Sequence, residues 1–139
     1  MDGKKINRTA LFILLIVNVI STILHYSDNF VSYDKYPQPN WITPDSIYLA
    51  WIVLTTFGVV GYVLYVKDMF WAAYVCLGIY SITGLSSPGH YLYSVQHVFS
   101  GKMHLLIWTD AIAGIFLLIF LLRSALILKE WHHEREVSL

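Results

Sequence analysis

Hydrocarbon is the solvent for which most of this chain is written. Four apolar stretches, residues 9–26, 46–66, 69–86 and 103–128, approach the roughly 17–25 residues a helix needs to cross a bilayer core about 30 Å thick. A backbone in lipid must satisfy its own amides, which leaves helices or closed barrels. Long unbroken apolar runs such as IAGIFLLIFLLRSALIL in the fourth stretch lack the alternation of a barrel strand and read as helix. The third stretch is the shortest and stops at Ser87-Pro88-Gly89. The expected fold is all-α, an integral membrane four-helix bundle forming one domain over residues 1–139.

Composition agrees. Hydrophobic residues make up 57% of the chain and charged residues 13%, where a soluble domain carries about 25% charged. Net charge is zero, the basic residues are scattered and the aromatics sit in apolar runs, so no nucleic-acid partner is expected. The expected partner is the lipid bilayer. The stiff segment Tyr36-Pro37-Gln38-Pro39-Asn40-Trp41 would also suit a membrane-protein partner or a homo-oligomer, and gives an accessory-subunit alternative. Basic residues precede the first stretch, as in a signal peptide. No small-x-small cleavage site follows it at LHYSDNF, so it reads as a retained helix. With no targeting segment recognised, the expected location is a bacterial inner (plasma) membrane.

Lys and Arg placement orients the spans. Lys4, Lys5, Arg8, Lys67, Arg123, Lys129 and Arg135 fall at one end, against Lys35 and Lys102 at the other. Seven against two puts both termini in the cytoplasm and the 27–45 and 87–102 loops outside. Thr43 or Asp45 caps the second helix, with Pro44 in or just before its first turn. The charged tail from Glu130 onward is expected to be solvated, and His132 and His133 are excluded from any shared site by lying at the opposite end.

Polar residues recur three, four and seven apart, and so share helix faces. The first stretch carries Asn18, Ser21, Thr22, His25 and Asp28 or Asn29; the second Asp45, Tyr48 and Thr55; the third Tyr80, Thr83, Gly84 and Ser87; the fourth Met103, Asp110, Ala113 and Gly114. All crowd toward the outward half. In lipid such groups must face one another, even where they act only as interhelical hydrogen bonds. Asp110 is the costliest, two turns inside the fourth stretch, and must be protonated, paired or metal-bound. Ala113 and Gly114 on its face admit a close neighbour.

Four histidines, His25, His90, His97 and His104, together with Asp28 and Asp110, supply enough donors for zinc, copper or iron. The leading expectation is therefore a membrane metalloprotein with redox or hydrolytic activity. The alternative is a metal-free pocket for a lipid or apolar ligand, walled by Tyr48, Trp51, Tyr80 and Trp108, with His and Asp exchanging protons. Neither HExxH, GxSxG nor a phosphate loop occurs. A Ser87–His90 nucleophile and base, or a haem between two histidines, is less well supported, and Cys76 reads as packing. Because the polar stripes fade in the inner half, an ion path is the weakest option.

Overall fold

The computed structural model describes residues 3–93 and 99–132. Among them there is no strand. The chain folds into α1 (Gly3–Val31), α2 (Pro44–Val66), α3 (Phe70–Leu85) and α4 (Gly101–Leu122), with 3-10 turns at Tyr33–Lys35 and Ser87–Leu92 and a π turn at Arg123–Ile127 closing α4. Three of these segments are long and apolar enough to cross a membrane, Gly3–Val31, Pro44–Val66 and Gly101–Ile127; α3 is shorter. α1 and α3 each pack mainly on α2 and α4, and touch one another only slightly.

Local chemistry sets the ends. Thr43 caps α2, its hydroxyl accepting from the Ser46 amide at 3.3 Å while Ser46 Oγ accepts from the Thr43 amide at 2.9 Å. Pro44 at the first helical position loses nothing by lacking an N–H. Ser100 caps α4 by accepting from the Met103 amide. α2 turns into α3 at Asp68, which takes a left-handed backbone with φ 61°, a conformation Asp tolerates better than most residues. Its carboxylate faces Arg8 at 3.1 Å and Lys4 at 3.6 Å. One end of the molecule thus gathers the start of α1, the α2–α3 turn and the close of α4.

The surface between the ends is apolar. Ile13, Ile20 and Leu24 on α1, Leu49, Ile52 and Val59 on α2, Trp71, Val75 and Ile82 on α3, and Leu105, Phe116 and Ile119 on α4 are all exposed. Continuous apolar faces of this kind mark a lipid-facing surface.

The interior divides in two. Leu11, Leu15, Phe70, Leu77, Leu117 and Phe120 form an apolar core in the half near the N-terminus. Buried polar side chains, Thr22, His25, Asp28, Asn29, Thr83, Ser87 and Asp110, fill the other half. Asn18 sits at the border, donating to the Ala113 carbonyl at 3.0 Å and so tying α1 to α4. The close approach of α3 to α4 rests on Gly84 and Gly114. A Cβ on Gly84 would strike the Asp110 carbonyl, and one on Gly114 would come within 2.9 Å of the Leu85 amide.

The tail departs from the expectation. Glu130 is buried, accepting from Asn7 Nδ2 at 2.7 Å, from the Tyr65 hydroxyl at 2.5 Å and from Ser124 Oγ. Ser124 in turn meets the Tyr74 hydroxyl at 2.8 Å. The π turn and a left-handed Lys129 (φ 49°) bring Glu130 back beneath the bundle. A single carboxylate there satisfies donors from α1, α2 and the end of α4, a stronger pull than solvation of one charge in a charged tail. His132 is exposed and stacks on Trp131; His133 lies outside the described residues.

Candidate functional site

The buried polar half is built from α1 and α4 outward. Asn18, Thr22, His25 and Asn29 recur along one face of α1, and all are buried. From Arg8, at the far end beside Asp68, to His25 the helix rises about 25 Å, so the imidazole lies well away from the Arg8–Asp68 contact. Asp110 meets it from α4, one turn above the Ala113–Gly114 contact that lets α3 close in.

His25 Nδ1 lies 2.9 Å from Asp110 Oδ2, and the two side chains are 2% and 0% exposed. The same oxygen accepts from Ser87 Oγ at 2.6 Å. A carboxylate oxygen only accepts, so beside an ionised Asp110 the His25 Nδ1 donates, and in the neutral imidazole Nε2 is the lone pair. Ser87 therefore serves the carboxylate and not His90, contrary to a Ser87–His90 nucleophile and base. His25 Nε2 and Asp110 Oδ1 are buried with no hydrogen-bond partner among the described residues.

A strap from the α1–α2 connection covers this pair. The Tyr36 ring packs 5.8 Å from that of His25 and 5.0 Å from that of His90. Its hydroxyl donates to Asp28 Oδ2 at 2.8 Å, and the other Asp28 oxygen pairs with Lys102 at the start of α4. Burial, and then the hydrogen bond to Asp28, push the Tyr36 hydroxyl well above the usual tyrosine range. It stays protonated and keeps donating.

His90 locks the strap from the α3 side. Its ring lies 5.5 Å from that of His25. Nδ1 is 2.9 Å from the Pro37 carbonyl and must donate to it, while Nε2 is 3.3 Å from Asn29 Nδ2 and must accept. Burial lowers the His90 pKa, opposed by the Pro37 hydrogen bond and reinforced by the neighbouring His25. The neutral form fits both contacts.

The other expected site residues are distributed differently. His104 is exposed on α4, its Nδ1 2.7 Å from the Tyr91 hydroxyl and its ring stacked on that of Tyr91. Six residues from Asp110, it sits about 120° around the helix, and so faces outward. His97 lies outside the described residues. Among the described residues no three His, Cys, Asp or Glu side chains group so as to hold a metal ion.

Of the four aromatic residues expected to wall one pocket, Trp51 and Tyr80 both reach Thr22, while Tyr48 and Trp108 make other contacts. Trp51 Nε1 donates to Thr22 Oγ1 at 3.0 Å, and Tyr48 donates to Ser27 Oγ at 3.2 Å, both stitching α2 to α1. Tyr80 is buried on α3 beside Thr22 and Thr55. Trp108 is 53% exposed on α4 and packs near Tyr91.

Sequence spacing missed Tyr36, Pro37 and Lys102 as parts of the site. They lie in or beside loops, where no periodicity reports which way a side chain turns. Ser87 and Asn29 were visible on polar faces, but not their partners. No family model, curated protein or solved structure matches the chain.

Proposed function

We propose that this is a multi-pass protein of a bacterial inner membrane, a single-domain four-span bundle with both termini in the cytoplasm. At its extracytoplasmic end His25 acts as a general base, oriented by Asp110, on a ligand arriving from the outer side of the bilayer. The carrying observation is the 2.9 Å contact between His25 Nδ1 and Asp110 Oδ2, buried, with Nε2 buried and without a hydrogen-bond partner among the described residues. A carboxylate on one ring nitrogen fixes the tautomer and stabilises the imidazolium that forms when the other nitrogen takes a proton. The basic residues at the end that carries Lys4, Arg8 and Lys67 support the orientation.

A transition metal, zinc, copper or iron, is the second reading. The unpartnered His25 Nε2 and Asp110 Oδ1 favour it; a third donor would have to come from beyond the described residues.

Two measurements decide between them. Elemental analysis of the detergent-purified protein is expected to find no stoichiometric transition metal. One metal per chain, lost in both His25→Gln and Asp110→Asn, would replace the acid–base reading. In proteoliposomes supplied with membrane-soluble esters and amides, His25→Gln is expected to lower turnover by about 10²-fold or more. Equal turnover by the variant ends the acid–base reading. A C-terminal reporter active only outside the cytoplasm would overturn the orientation.

A further inference from the structure

The turn that follows α3 touches both the buried carboxylate and the strap that covers it. Ser87, at its start, is 4% exposed and donates to Asp110 Oδ2 at 2.6 Å. His90, three residues on, donates from Nδ1 to the Pro37 carbonyl of the strap at 2.9 Å. Both lie in the Ser87–Leu92 3-10 segment, where residues three apart line one edge because each turn takes three residues. Asp110 and Pro37 are therefore joined through one short turn.

Ser87 has a single hydrogen to give. The Thr83 carbonyl lies 3.4 Å from its Oγ, too long to compete with the 2.6 Å contact, and already accepts from Ser86 Oγ at 3.2 Å. The hydrogen goes to Asp110. Between the two contacts Pro88 fixes a backbone angle, and the Gly89 amide closes the turn on the Ser86 carbonyl at 2.8 Å. The segment can thus pass a displacement from one contact to the other.

With the strap seated, the pair beneath it is shut off. His25 and Asp110 are 2% and 0% exposed, and Tyr36, whose ring packs against that of His25, is 3% exposed. A base acting on a ligand from the outer side is reached only when this cover lifts, and lifting it breaks the tie between His90 and Pro37.

We propose that the strap is a lid over the His25–Asp110 pair, and that the Ser87–Leu92 turn links the two, with Ser87 the positioning residue through which the lid acts on Asp110. The inference rests on the acid–base reading and names its regulation. With the lid seated, Ser87 and His25 share Oδ2. With it lifted, the turn loses its hold on Pro37, Ser87 is no longer pressed to Asp110, and Oδ2 is left to His25 alone.

Solid-state NMR in bilayers, with ¹³C at the aspartate carboxyl and serine Cβ positions, tests the linkage. In the unmodified protein the Asp110 carboxyl carbon should show a dipolar contact to Ser87 Cβ; its absence overturns the linkage with no variant needing to fold. Ser87→Ala should move the Asp110 resonance, and Ser87→Thr, which keeps the hydroxyl, should restore it. His90→Phe keeps a ring beside His25 and Tyr36 but loses the donor to Pro37. It should move the Asp110 resonance in the same direction as Ser87→Ala, and add nothing to that variant. No movement in His90→Phe, or an equal further movement on top of Ser87→Ala, overturns the linkage. Mass spectrometry of the protein treated with diethyl pyrocarbonate should find His25 modified several-fold faster in His90→Phe; an equal rate overturns the lid. Unchanged turnover in His25→Gln would remove the acid–base reading and leave these resonances as expected, so the two failures are told apart.

Discussion

His25 and Asp110 stand 85 positions apart in the chain and 2.9 Å apart in space. Each is hidden from solvent almost completely. The carboxylate is held on its other flank by Ser87, so α1, α4 and the turn after α3 share one oxygen.

Removing one member of this pair leaves the other buried and unmatched, which is more damaging than removing both. His25→Leu and Asp110→Leu should each destabilise the protein more than their combination would suggest, with a coupling of roughly 1–3 kcal/mol. A double-mutant cycle on unfolding in detergent micelles measures it. Additive effects would mean the two side chains do not depend on each other.

His90 should make the strap sensitive to acid. Its folded pKa is lowered by burial, so the unfolded chain binds the proton more readily. Stability from this group is complete above the ordinary histidine value of about 6.5 and declines as pH falls below it toward the lowered folded value. Protonated Nε2 would face the Asn29 amide hydrogens. Protection factors of the amides in residues 32–43, taken relative to the base-catalysed intrinsic rate, should therefore fall between about pH 6.5 and pH 5, and His90→Gln should flatten that fall. Protection factors that do not change with pH in the unmodified protein would contradict the assignment.

Gly84→Ala should force α3 away from α4, because the added methyl meets the Asp110 carbonyl. Overpacking of this sort costs about 1–3 kcal/mol, and the displaced Asp110 should loosen its contact with His25 as well. Gly78 lies on the same helix with nothing within 4 Å of an added Cβ. Gly78→Ala should be neutral or stabilise by about 0.5–1 kcal/mol. Thermal unfolding in detergent separates the two; equal effects would mean the α3–α4 contact is not tight.

At the opposite end, Glu130→Ala should release the tail. The Tyr65 and Ser124 hydroxyls and the Asn7 amide would lose their shared acceptor, at a cost of about 1–3 kcal/mol for each donor left buried and unmet. Limited proteolysis should cut near residue 129 in the variant and spare the parent protein. Equal resistance would show that the buried carboxylate does not hold the segment.

Much of the polar half was legible in the chain. Asn18, Thr22 and His25 declared a common face by their spacing, and Thr83, Ser87, Asp110 and Gly114 did the same on their helices. All are buried. His104 carried the same chemistry as His25, and only its angle around α4 separates it from the site. Glu130 was hidden by its surroundings, since nothing in KEWHHERE distinguishes a carboxylate that turns under the bundle from one that points to water.

Apolar length and period alone determined that the chain is helical and lipid-facing, because an unpaired backbone in hydrocarbon leaves few other choices. Which histidine meets which carboxylate was decided by how α1, α3 and α4 pack, and by the strap that Tyr36 and Pro37 lay across them. Hydropathy reports the depth of a residue and periodicity its face. Neither carries the rotation of one helix against another, and a rotation of a third of a turn decides whether a histidine joins the pair at Asp110 or lies exposed against Tyr91 as His104 does.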